Sequence, residues 1–259
     1  MLEQPINLSV FLPINHIYQY ICRYIHNYLK KSDMNATTIS ADIISYTSLS
    51  AKDKEHLNFK IQVLLSDLTK KYKAEQFFGR IAQGDYIECA MLSPKYALRA
   101  ALLLKTLVKS VEVSDSNDSR IRYFREYGVR IAIAVAPLIE LSPEKGIIDG
   151  EAIYLSGRTI KNMSTSDKKK VVMKETMFFR SLDAEQQDNY DAMIGLLDSI
   201  ISKCSQKQCE VLYYKLSGFT EKEICEKTGK NQSTISQHSS AASWNAIEKS
   251  VIHFENHIV

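Results

Sequence analysis

One carboxylate stands where a carboxylate is costly. The run Ala36-Thr-Thr-Ile-Ser-Ala-Asp42-Ile-Ile is small, β-branched and apolar, the make-up of a buried strand. Asp42 interrupts it near its end, where an ionised side chain needs a cation or a set of donors. The chain then breaks, and Ser50-Ala-Lys-Asp53 reads as a capping box opening a helix. Taken alone, Asp42 is a strand-end residue capping the next turn. A second carboxylate changes the reading. Gln83-Gly84-Asp85-Tyr86 lies between two strand-like runs, Gln76 to Ala82 and Tyr86 to Met91, and is the turn of a hairpin. An Asp on a strand and another on a neighbouring hairpin tip can converge on a hard divalent cation such as Mg²⁺ or Mn²⁺.

Around these two residues the elements alternate. Ile17, Tyr18, Ile21, Ile25, Tyr28 and Leu29 predict a helix in a leading segment, residues 1–34, with Met34 an alternative start of the product. Leu57, Ile61, Leu64, Leu65, Leu68 and Tyr72 form one helical stripe. Ser93-Pro94 is expected to open a helix with Ala97, Ala100, Ala101, Leu104 and Val108 inward. Gly128 to Ala136 is a near-continuous apolar strand, central by character, which Pro137 should stop. A further hairpin reaches Asp149-Gly150, followed by a short helix bearing Arg158 and a strand around Val171 to Phe179. The order β-α-β-β-α-β with helices on one face predicts an α+β sandwich of the ferredoxin-like kind.

The motif Ser40-Ala-Asp-Ile-Ile-Ser-Tyr-Thr-Ser-Leu-Ser50, then Gly84-Asp85, then Gly150-Glu-Ala-Ile-Tyr-Leu-Ser-Gly-Arg158, resembles the catalytic domain of class III nucleotidyl cyclases over roughly Asn35 to Arg180. The resemblance implies a cyclase-type domain at 35–181, with Asp42 and Asp85 as metal ligands and Arg158 stabilising charge in the transition state. It also implies a homodimer, in which the carboxylates of one subunit face the Arg158 position of the other. Tyr154 stands where the family has a ribose-orienting Asn. Ile81 and Ile147 stand at the two base-reading positions, and an apolar side chain cannot read a purine edge. The resemblance therefore implies a nucleotide-like ligand held by Asp42, Asp85, Tyr154 and Arg158 without cyclisation of ATP or GTP. The plain alternative for Arg158 is a surface ion pair, worth about 0–1 kcal/mol.

Ser181 to Tyr190 is polar and acidic and marks a boundary, leaving 189–259 as a small all-α unit. Met193, Leu196, Leu197, Ile200 and Ile201 form one helical stripe, and Cys209, Leu212, Tyr213 and Leu216 another, ending at Gly218. Thr220-Glu-Lys-Glu223 is a second capping box. After it, Cys225, Gly229 and Ile235 fall at the fifth, ninth and fifteenth positions of a helix-turn-helix unit. The segment resembles the tetrahelical module of sigma-factor region four and of response-regulator DNA-binding domains, and the whole chain resembles bacterial SatD-type proteins. Lys230, Asn231, Gln232, Ser233, Thr234, Gln237 and His238 are the expected contacts to double-stranded DNA, since no acid occurs from Lys227 to Ile247. A protein-binding helical bundle is the alternative. From Asn189 onward there are seven Lys against eight Asp plus Glu, and no Arg follows Arg180.

Net charge is +3 over 259 residues, so bulk electrostatics announce neither nucleic acid nor membrane. No apolar run approaches the roughly 20 residues that span a bilayer, and no secretory leader is recognisable, so a cytoplasmic location is expected. Five cysteines without a C-x-x-C read as thiols in a reducing compartment. Two functions follow as expectations. One is a transcriptional regulator that senses a ligand through the cyclase-like domain. The other is a metal-dependent nucleotide-processing enzyme regulated by its C-terminal helices.

Overall fold

The structure is a computed structural model, and it describes residues 35–114, 118–164 and 175–258. The helix expected in 1–34 and the start of the strand expected at Val171 lie outside the described residues. Six strands form the sheet. β1 (Asn35–Ile43) lies antiparallel between β3 (Tyr86–Met91) and β4 (Val129–Ser142), and β2 (Phe78–Gln83) pairs with β3 at the edge. β6 (Met177–Ser181) runs parallel to the first half of β4, and β5 (Ile147–Gly150) pairs with the second half.

Pro137 does not stop β4, contrary to the expectation. It sits opposite Asn35, the first residue of β1, where that pairing ends and the pairing with β5 is about to begin. A residue without an N–H is tolerated at such a change of partner. Gly150 is needed at the far end of the exchange: at φ +133, a Cβ there would lie 2.7 Å from the Ile139 nitrogen.

The period-two pattern of the strands sorts the helices. Ile39, Ala41 and Ile43 of β1, Ile87, Cys89 and Met91 of β3, and Ile131, Ile133 and Val135 of β4 join one large core. Into this core pack α1 (Ala51–Lys71) and α2 (Ala97–Ser110). The other face is made of small residues, among them Ala36, Thr38, Ser40, Ala90, Ala132 and Ala136. That shallow surface receives α4 (Glu151–Ser164), whose Ser156 lies between Thr38 (3.0 Å) and Ser40 (2.8 Å). Helices therefore cover both faces, where the sequence predicted one. α2 also starts later than expected. Ser93 caps a turn through the Lys95 N–H, and the helix begins only at Ala97.

Apart from Arg99, α2 is buried from Ala97 to Lys109, as befits a helix enclosed on nearly every side. One side meets the sheet. The other meets α5 (Ala184–Lys203) and α6 (Gln206–Ser217), so a single apolar cluster runs from Ile39 of β1 to Ile258 near the C-terminus. The stretch read as a boundary holds no gap: β6 ends at Ser181, and Asp183 already caps α5. Arg99 of α2 makes a two-point bond to Glu255 of α9 (Trp244–His257), at 2.5 and 3.0 Å. Phe179, Tyr190 and Phe254 stack edge-on, with centroids 4.8–6.1 Å apart, and tie β6, α5 and α9 together. In α5 the predicted stripe holds at Leu197 and Ile201, whereas Leu196 is exposed.

Enclosing α2 also encloses Lys105. Its ammonium is fully buried and donates to the Val129 carbonyl (2.8 Å) and to the Thr176 hydroxyl (2.5 Å), with Asp198 of α5 at 3.4 Å. Asp198 accepts in turn from the Thr176 hydroxyl (2.6 Å) and from the Thr176 and Met177 N–H groups. Burial nonetheless outweighs the attraction of Asp198 and pushes the Lys105 amine down to about 8. Breaking such a buried pair costs on the order of 3–5 kcal/mol, and Lys105→Met should show a loss of that order in urea unfolding. The sign of the pH effect is also fixed. Between about 8 and the ordinary value of 10.5, the unfolded chain holds a proton that the native amine has released. The Lys105 contribution to stability therefore rises with pH across that window, and unfolding measured from pH 7 to 11 should lose this rise in Lys105→Met.

Candidate functional site

The backbone at Asp85 lies beside the end of β1. The Ile43 N–H donates to the Asp85 carbonyl at 3.0 Å, and Asp42 lies opposite Tyr86 in the β1–β3 register. Asp42 has a third neighbour that the sequence reading missed. It lies opposite Arg130 of β4, whose guanidinium bonds its Oδ2 at 2.8 Å, both side chains being mostly buried. Burial raises the Asp42 carboxyl above the usual range; Arg130 pulls it back, and the charge of Asp85 raises it further. A signal was present: Arg130 is the one charged residue in the apolar run Gly128 to Ala136. A cation inside a buried strand needs an anion across the ladder.

Mg²⁺ and Mn²⁺ take several oxygen donors at once. Two carboxylates are adjacent, but one is already clamped by a guanidinium. No group of three or more His, Cys, Asp or Glu side chains that could hold a metal ion occurs among the described residues. As arranged, these residues do not fit a carboxylate-bridged cation.

The other expected ligand residues face elsewhere. Ser156, also missed in the sequence, docks α4 on β1 and turns Tyr154 and Arg158 outward. The Tyr154 hydroxyl donates to Asp149 at 2.6 Å. Arg158 is 69 % exposed, 4.0 Å from Glu151 and over the Tyr154 ring at 5.8 Å. Within one chain no described contact joins Arg158 to Asp42 or Asp85. Ile81 and Ile147 are half-buried. Arg80, beside Ile81, is held by Glu88 (2.7 and 3.0 Å) and by the Gly146 carbonyl.

In the C-terminal part, α7 (Glu221–Thr228) and α8 (Gln232–Ala241) are joined by the three residues Gly229-Lys230-Asn231. Gly229 takes φ +67, a left-handed value that favours glycine. Val211, Ile224 and Ile235 form the small core that holds α6, α7 and α8 together. The Thr220–Glu223 capping box is present, and Gly218 ends α6 at φ +98. The expected DNA contacts divide in two. Lys230 bonds Glu210 at 2.6 Å and is half-buried, so it is not a free cation. Asn231 caps α8, accepting from the Thr234 N–H and from the Ser233 and Thr234 hydroxyls at 2.7–2.9 Å. Gln232 and Gln237 are exposed and make no side-chain bond among the described residues, and His238 is half-exposed.

No family model matches the chain. No curated protein matches it either. Among solved structures, two entitled as a bacterial light-regulated adenylyl cyclase are similar to part of it. One has a TM-score of 0.38 and 13% identity, covering 56% of this chain and 75% of that one. The other has a TM-score of 0.37 and 12% identity, covering 67% of this chain and 58% of that one. No described helix is long and apolar enough to cross a membrane.

If Arg130 is the cation that neutralises this carboxylate pair, Arg130→Gln should raise the Asp42 titration midpoint further. Carboxyl-carbon NMR of the two proteins is the measurement. The same variant should gain a thermal shift with millimolar Mn²⁺ that the parent lacks, because Asp42 is released to bind it.

Proposed function

We propose that the chain is a DNA-binding transcriptional regulator that reads double-stranded DNA through α8. The observation that carries this reading is the outward side of α8. It follows a glycine turn, contains no acid from Lys227 to Ile247, and presents Gln232 and Gln237 unengaged. Glutamine amides of this kind pair bidentately with adenine in the major groove. In this reading the N-terminal end of α8, capped by Asn231, is the end that would enter the groove, as a recognition helix does. Phosphate contact falls to Lys222 and Lys227, which are exposed, rather than to Lys230.

The sheet unit supports the rest of the reading. Its strand order β2-β3-β1-β4, with the crossovers α1 and α2, supports reading it as a cyclase-type sandwich that pairs as a two-fold dimer. A dimer would place two α8 helices on one duplex, with half-sites ~34–36 Å apart. It is also the arrangement in which Arg158, outward on α4, would face Asp42 and Asp85 of the partner. We read that shared surface as the place for an anionic, nucleotide-like ligand whose binding shifts the spacing of the helices. The enzyme alternative is less well supported, because Ile81 and Ile147 offer no donor to a base and Arg130 already holds Asp42.

Fluorescence anisotropy with DNA from the region upstream of the protein's own reading frame tests the reading. Gln232→Ala and Gln237→Ala should each lower discrimination between matched and mismatched sites by about 1–3 kcal/mol. Lys227→Ala should weaken all sequences alike and reduce the salt slope by about one. Absence of salt-dependent binding at micromolar protein, with the chain sedimenting as a monomer, would remove the proposal. Incubation with ATP or GTP and Mn²⁺ should yield no cyclic nucleotide.

A further inference from the structure

A large cleft lies away from both sites. It has a volume of about 820 Å³ and opens between the first turn of α1, the end of α2, α3 (Ile121–Tyr127) and the α5–α6 junction. Lys52, Lys109 and Arg125 line it against Asp53 and Glu112, and Asp53 is already engaged by Ser50 (2.7 Å) and Ser114. Cys204 lies on its wall, nearly buried.

Cys204 has an unusual setting. It ends α5 and immediately precedes Ser205, the N-cap of α6, which forms a full capping box with Gln208. Cys209 follows that box in the first turns of α6. The two cysteines thus occupy the positions before the cap and four residues into the helix, where apolar side chains ordinarily staple across a helix start. The fold therefore brings their thiols together. Beside them is Lys109, 4% exposed. Its ammonium donates to the carbonyls of Glu126 and Ser202 and has no carboxylate within ion-pair distance among the described residues. An ammonium next to two thiols favours ionisation of one of them, though burial pushes this amine down and Asp198 and Glu126 act on it as well.

We propose that Cys204 is an oxidation site, reached through this cleft by hydrogen peroxide and resolved by Cys209 to an internal disulfide. The Cys204 sulfur attacks one peroxide oxygen, the O–O bond breaks, and the leaving hydroxide takes a proton to become water. Cys204 is then a sulfenic acid, and the peroxide has been reduced by two electrons. The Cys209 sulfur displaces the sulfenic hydroxyl, which leaves as a second water carrying the Cys209 proton. The polarity of the pair suits these roles. As a thiol, Cys204 donates to the Ile200 carbonyl at 3.4 Å. As a thiolate it accepts the Cys209 S–H, and this bond, with the Lys109 charge, holds the Cys204 thiol below its ordinary value while raising that of Cys209. The other described cysteines lack such a setting. Cys89 is buried in the core and pushed up to about 12, and Cys225 is half-exposed with neither a second thiol nor a buried ammonium beside it.

The inference is independent of the DNA-binding reading. The full chain, treated with equimolar hydrogen peroxide and mapped by peptide mass spectrometry, should show a bridge between Cys204 and Cys209 and a loss of two hydrogen atoms. In Cys209→Ser the bridge cannot form, and a cyclic 1,3-dione should trap the sulfenic acid on Cys204. Cys204 should react roughly tenfold faster than Cys225, because the attacking species is the thiolate. Reaction at Cys225 before Cys204, or no trapped sulfenic acid in Cys209→Ser, would overturn the proposal. So would a sulfenic acid on Cys204 of the parent chain that never passes to Cys209.

Discussion

The enclosure of α2 is possible because Lys105 finds Thr176 and Asp198. The chain places an ammonium in the middle of an all-apolar layer, and three elements have to deliver oxygens to it. β4 gives a carbonyl, the entry to β6 gives the Thr176 hydroxyl, and α5 gives Asp198. Each partner is fixed by the others, since Asp198 also takes the first backbone N–H groups of β6. α5 therefore cannot slide along β6 without leaving a charge unanswered. The ion pair adds little net stability compared with an apolar equivalent, but it fixes one register.

That constraint explains what could and could not be read from the residues. Ile39, Leu57, Ile61 and Leu212 lie on clear period-two or helical stripes, and they are buried as the stripes require. Two capping residues were equally legible, because Ser50 and Thr220 act through neighbours three residues away. The side of the sheet taken by α4 was not legible. Thr38, Ser40 and Ala132 look like weak strand residues, until a helix bearing Ser156 is known to lie against them. Likewise, Leu98, Leu102, Leu103 and Leu107 of α2 gave no sign that a second layer, drawn from a hundred residues further on, would cover them. Pro137 misled because strand breaks are judged locally, whereas β4 changes partner there.

The candidate site shows the same division. The strand of Asp42 and the hairpin tip of Asp85 were local features, and both are present. The clamp from Arg130 depended on the pairing of β1 with β4, eighty-eight residues away in sequence. In α8 the polar residues singled out in the sequence divide between those that serve the helix and those that face outward. Asn231 serves the helix start, and Lys230 answers Glu210, a residue of α6. Gln232 and Gln237, two neutral amides, face outward without a side-chain bond among the described residues.

The double burial of α2 bears on how such a chain can have been assembled. A sheet unit and a helical unit joined by a linker can be exchanged between proteins by cutting the linker. Here, Arg99 bonds both Glu255 and the Leu216 carbonyl, Gln206 bonds the Ser110 carbonyl, and Lys71 reaches the Ser217 carbonyl. A recombination point after β6 would strip a leucine-rich flank of α2 and leave Lys105 facing a void where Asp198 had been. The two halves have thus lost the freedom to be inherited separately, and changes on one side of α2 must be matched by changes on the other.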